Sequence, residues 1–113
     1  MTTQVNWAQL CQAVLTITPS LLYTVPQGSQ VSITAASAWN PSTAGGSAVT
    51  DLYILPAAGT AADPTHVDRV SVPIGTALPL TNAINQKLTG GQSIWGASTI
   101  AGATLTISGA VAA

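Results

Sequence analysis

The chain has 113 residues, enough for one domain with one modest core. Apolar residues make up 47 %, an ordinary globular share, but charged residues make up only 4 %, where soluble domains carry roughly 25 %. The charges are Asp51, Asp63, Asp68, Arg69 and Lys87, for a formal net charge of −1, and one Lys with one Arg is too little to neutralise the phosphates of a nucleic acid or an anionic membrane surface.

Taken in chain order, Val5, Trp7, Leu10, Ala13 and Val14 recur at roughly helical spacing with no Gly or Pro among them. Residues 1–18 therefore read as an N-terminal arm, a short helix or a first strand, ahead of a sandwich domain over 19–113. Residues 15–18 alternate and stop at Pro19; residues 21–25 form a β-rich run closed by Pro26-Gln27-Gly28. In 30–34, Val31 and Ile33 share one face, Ser32 and Thr34 the other, which marks a half-buried strand. Residues 40–47 are loop-like in composition. The run 49–55 is apolar on both sides, Leu52 and Ile54 opposite Tyr53 and Leu55, and suits a central strand or one covered on both faces. After a second loop over 57–65, residues 67–72 alternate, with Asp68, Val70 and Val72 on one face. Residues 77–80 are extended, and 82–88 read as a helical turn or a strand entering a loop. Beyond the Gly90-Gly91 turn come 93–98 and then 103–108, with Leu105 and Ile107 inward and Thr104, Thr106 and Ser108 outward. Short strands punctuated by Gly and seven prolines predict a small all-β antiparallel sandwich, jelly-roll-like or immunoglobulin-like.

The chemistry-bearing residues are few. His66 is the sole histidine; Asp63 and Asp68 lie near it, but a stable metal site needs three or four placed ligands, so a solvated or interface histidine is expected. Ser and Thr nucleophiles need a His base and an orienting third group, and no carboxylate pair stands in a glycosidase-like motif. Gly45-Gly46 and Gly90-Gly91 lack the Lys and the strand–helix context of a phosphate loop. No catalytic, cofactor-binding or metal residue is assigned, no cofactor is expected, and the chain reads as non-enzymatic. Cys11 has no partner for an internal disulfide and reads as a small buried apolar residue. Trp7, Trp39 and Trp95 are the largest apolar groups in a chain without Phe. Core packing is expected for at least two of them; exposed, they suit an interface or a sugar platform. The interface candidates are Val5, Trp7, Leu10, Trp39 and Trp95.

The start of the chain lacks the basic and long apolar regions of a secretory signal, and no apolar run approaches a membrane span. Near-zero charge with a mean hydropathy of +0.44 points to surface buried against other copies or other chains. A homo-oligomer is expected, with neither nucleic acid nor membrane as partner.

Residues 20–28, Ser-Leu-Leu-Tyr-Thr-Val-Pro-Gln-Gly, resemble the "LYTVPAG" opening of small β-sandwich structural proteins of tailed bacteriophages. The strand ending near Asn40, Val70-Ser71-Val72-Pro73, residues 88–94 and Ser108-Gly109-Ala110-Val111 stand where those proteins carry matching turn and core motifs. Gln92 departs from a frequent Asp in that pattern. The resemblance covers roughly 21–111. It implies a virion protein, assembled in the host cytoplasm and contacting other virion proteins such as the major capsid protein. A head decoration (cement) protein is the preferred reading. A tail, neck or baseplate adaptor or fibre protein is the alternative, and a carbohydrate-binding module using Trp39 or Trp95 is an alternative of another class.

Overall fold

The computed structural model describes residues 5–41, 45–57, 61 and 65–112. Asp63, weighed above beside His66, lies outside them, as do residues 1–4 of the N-terminal segment. Among the described residues the chain runs through β1 (Val5–Val14), β2 (Ser20–Thr24), β3 (Gln30–Asn40), β4 (Ala48–Leu55) and β5 (His66–Val72). It continues with β6 (Thr76–Pro79), β7 (Lys87–Thr89), β8 (Ser93–Ser98) and β9 (Thr104–Ala112). All but one of the alternating runs therefore fold as strands, with no α-helix among the described residues.

The strands form two antiparallel sheets. Sheet A has the order β1-β9-β3, and the far edge of β3 is shared by β7 at its start and β6 at its end. Sheet B has the order β2-β8-β4-β5. Apart from the β4–β5 hairpin and the β6–β7 pair on one edge, each connection carries the chain from one sheet to the other. This is the order of a jelly roll. An immunoglobulin sandwich keeps its first two strands in one sheet, whereas β1 and β2 lie in different ones.

The core lies between the sheets and is aliphatic. Leu15, Val25, Val31, Ile33, Leu52, Val72, Leu80, Leu88, Ile94, Leu105 and Ile107 are all at most 2 % exposed. Each such side chain contributes about 1.5–3 kcal/mol relative to exposure. β4 is central in its sheet, between β8 and β5; its Leu52 and Ile54 meet the core, and Leu55 is buried on the other side. Asp68 faces inward at the end of sheet B, where its carboxylate accepts hydrogen bonds from the backbone N–H of Arg69 and of Asn82, both at 2.8 Å. That anchors the turn over 81–85, in which Asn85 takes a left-handed φ of 73°, a conformation Asn tolerates better than most residues. Residues 82–88 thus hold both a turn and the entry to β7.

Of the readings offered for the N-terminal segment, the structure takes the first strand: from Val5 on it pairs along its length with β9 and is not a helix. Two sequence expectations are corrected. Residues 15–18 are not a strand: Leu15 is buried while Ile17 is 70 % exposed, because the chain is crossing between sheets there, tied by Leu15 N–H to Ala103 O at 2.6 Å and by Ser98 N–H to Thr16 O at 3.0 Å. The tryptophans are not core residues: none is buried, and Trp7 and Trp39 are 75 % and 43 % exposed. Aliphatic side chains already fill the space between the sheets.

Candidate assembly surfaces

Residues directly opposite in an antiparallel ladder point to the same face, so the strand registers map the outer face of sheet A row by row. At one end, Val5, Ala112, Gln30 and Thr89 form a row, followed by Trp7, Ala110, Ser32 and Lys87. Toward the other end come Gln12, Thr106, Ser37 and Pro79, then Val14, Thr104, Trp39 and Ala77. Every one of these residues is exposed or half-buried. Lys87 is the sole charge in these rows, and its Nζ donates to Ser32 Oγ at 2.7 Å. The face is thus mostly Ala, Ser, Thr and Gln, with a tryptophan near each end. Beside Val5 it dips into a groove of about 480 Å³ lined also by Ser32, Lys87, Ala110 and Ala112.

Three of the five interface candidates, Val5, Trp7 and Trp39, meet on this face. Leu10 does not. It is the extra residue of a β-bulge, where the register slips between Gln9 and Cys11, and it turns to pack on the core over Gly109. A Cβ on Gly109 would collide with the carbonyl of Ser32, so glycine lets β3 and β9 approach here. Cys11, next to the bulge, also packs against the core. Burial pushes its thiol up to about 11, a shift that a backbone hydrogen bond with Ile107 opposes; the thiolate needed for nucleophilic chemistry is disfavoured.

Trp95 lies elsewhere, on the outer face of sheet B. There Leu21, Trp95, Tyr53 and His66 form one row across β2, β8, β4 and β5. Trp95 is half-buried, and its Nε1–H donates to Ser93 Oγ at 2.9 Å. The Tyr53 and His66 rings are 5.2 Å apart. In the adjoining row Asp51 Oδ1 lies 2.8 Å from His66 Nε2 and 2.6 Å from Arg69 Nε. Sequence proximity paired His66 with Asp63 and Asp68. Asp68 instead points inward, and the partner of His66 is Asp51, brought over by the β4–β5 hairpin. No local motif signals that pair; only the strand register does. Among the described residues no group of three His, Cys, Asp or Glu side chains is placed to hold a metal ion.

β1, which carries the candidates Val5, Trp7 and Leu10, also presents a free edge. Residues 5–9 are exposed on both faces, and among the described residues β1 pairs only with β9. Its outer edge therefore presents unpaired backbone donors and acceptors.

Comparison with known proteins reaches no family. No family model matches the chain, and no curated protein sequence matches it. Among solved structures, a chain in the structure of the infectious bursal disease virus Gx strain aligns with a TM-score of 0.45 and 16 % identity, covering 97 % of this chain and 32 % of that one. A chain of the Gt strain aligns at 0.30 and 14 %, covering 97 % and 35 %. This chain thus spans about a third of the length of the chains it aligns with.

Proposed function

We propose that this chain is a non-enzymatic structural subunit of a virion, a head decoration protein of the tailed-bacteriophage kind that binds the capsid through neutral contacts. The observation that carries the reading is the outer face of sheet A, which offers two exposed tryptophans and a single charge over its full length. Such a face is buried against a partner without the cost of desolvating ions, and its tryptophans supply the aromatic anchors that dominate interfaces. The phage-like motifs of residues 20–28 and 108–111 support the same reading, and jelly rolls recur among capsid domains.

The test is a comparison of particles assembled with and without this chain. Complete particles are expected to survive heat and osmotic shock that rupture the deficient ones; equal survival sinks the cement role. Counting copies per particle by gel densitometry separates head from tail. Copies in proportion to capsid subunits support decoration, whereas a single ring's worth supports a tail, neck or baseplate adaptor.

The carbohydrate reading is favoured by one observation, on Trp95 rather than Trp39. Asn40, the polar neighbour of Trp39 in sequence, is wholly buried, with its Nδ2 donating to Gly46 O and Val72 O. Trp95 instead shares its row with Tyr53 and His66, beside Asp51 and Arg69. A glycan array that retains the protein, and loses it on Trp95→Ala, supports this reading; no retention disposes of it.

A further inference from the structure

The sandwich has four sheet edges, and three carry the features that keep strands from pairing with other chains. On the far edge of sheet A, β6 and β7 have four and three residues, with Pro79 in one and Lys87 in the other. In sheet B, β2 has five residues and a register slip between Leu21 and Tyr23, and β5 bears His66, Asp68 and Arg69. The fourth edge, β1, has ten residues with neither charge nor proline. Its bulge at Leu10 leaves 5–9 as a regular run, exposed on both faces, with Trp7 in the middle.

We infer that β1 is a seam between two copies of this chain: it pairs antiparallel with β1 of a second copy and joins two sheets A into one continuous sheet. The inference rests on the assembly reading above and names its first interface. The second copy is the occupant because of the edges themselves. Two copies offer each other the same run, and β1 is the one long edge free of charge and proline among those described. Pairing of like with like gives a closed two-fold dimer, in which residue i meets j as j meets i. Low charge removes the repulsion that keeps such edges apart: the five residues of the run, Val5, Asn6, Trp7, Ala8 and Gln9, are all uncharged. When the run pairs on itself, Trp7 sits on the two-fold axis opposite its counterpart, with Val5 opposite Gln9 and Asn6 opposite Ala8. The outer faces then become one surface across the seam.

Charge reversal at the axis tests this. Trp7→Lys places two ammonium groups opposite each other, and Trp7→Glu two carboxylates, which like-charge pairing across strands disfavours. Wild-type protein is expected to show twice the monomer mass of 11.3 kDa by light scattering or equilibrium sedimentation. Each variant alone is expected to dissociate, its Kd raised at least about tenfold, and an equimolar mixture to re-form a dimer with one chain of each. Trp39→Lys, on the same face but far from the seam, is expected to leave the dimer intact. Amides of 5–9 in the wild type are expected to gain protection from exchange as concentration rises, a readout independent of whether any variant folds. A wild-type monomer at all concentrations overturns the seam, as do dimeric single variants, a mixture that stays monomeric, or protection of 5–9 that appears only when another virion protein is added. If particles still gain heat and shock resistance from the Trp7→Lys chain, the seam fails as a requirement while the assembly reading stands.

Discussion

Asn40 closes the end of β3 without a charge: its Nδ2 donates to Gly46 O at 2.8 Å and Val72 O at 3.0 Å, and its backbone carbonyl accepts from Gly75 N–H. The side-chain amide thus ties the start of the β4 segment to the end of β5, and the backbone of the same residue holds the turn after it. Asn40→Ala is expected to lower unfolding stability by about 1–3 kcal/mol, since it leaves carbonyls in a buried site without a donor; urea denaturation measures it. Cys11 makes the second prediction at this scale. Its folded pKa of about 11 lies above the ordinary 9.0, so between those values the native state holds a proton that the unfolded chain has released. The stability this contributes is present below pH 9 and is lost as pH climbs toward 11. The burial-raised Tyr23 hydroxyl acts in the same direction. Thermal melts across that range are expected to show a fall that Cys11→Ala partly removes. Alkylation of Cys11 is expected to stay slow near neutral pH in the folded protein and to speed up on unfolding.

At the scale of single elements, bulges decide which side chains reach the surface. In β3, Val31 and Ile33 set an odd-numbered core face, and carried forward unchanged it would put Trp39 inside. The register slip between Ile33 and Ala35 inserts Thr34 and inverts the parity, so Ala36, Ala38 and Asn40 turn inward and Trp39 outward. Alternation and the Pro and Gly stops made most strands legible in the sequence, because the core enforces period two along them. The bulge in β3 left no mark that composition could show, and so Trp39 was misplaced. The first strand was ambiguous for a related reason: with 5–9 exposed on both faces, no core imposes a pattern on it. The Asp51–His66 pair was illegible because only the register of the β4–β5 hairpin creates it. Two glycines test how close the elements lie. A Cβ on Gly96 meets the side-chain ends of Leu22, Leu15 and Leu105 at 2.9, 3.1 and 3.2 Å, whereas one on Gly109 meets backbone. Gly96→Ala is expected to cost about 1–3 kcal/mol through overpacking. Gly109→Ala is expected to cost more, because the β3–β9 ladder must shift; paired thermal melts rank the two.

Over the whole molecule, the sparse charge is distributed as unevenly as the edges are. Asp51, His66 and Arg69 gather on the outer face of sheet B, while the outer face of sheet A holds Lys87. Association through sheet A is therefore expected to change little between low salt and ~1 M salt, where screening length falls to about 3 Å. Sedimentation across that range checks it, and a steep dependence points to contacts through sheet B. The molecule measures 52 × 26 × 19 Å, and along its length β9 lies between β1 and β3. This placement sets the order of events during synthesis. β1 is the first of the nine strands to leave the ribosome and β9 the last, yet β1 has no described strand partner but β9. Sheet B has all four of its strands in hand once β8 has emerged, whereas sheet A waits as two separated pieces until β9 slots between them. Nascent chains with β8 clear of the ribosome and β9 still inside it are expected to be cut by protease within 5–14, and chains carrying β9 clear of the ribosome to resist it. The strand that carries the bare edge is thus the last to be held in place.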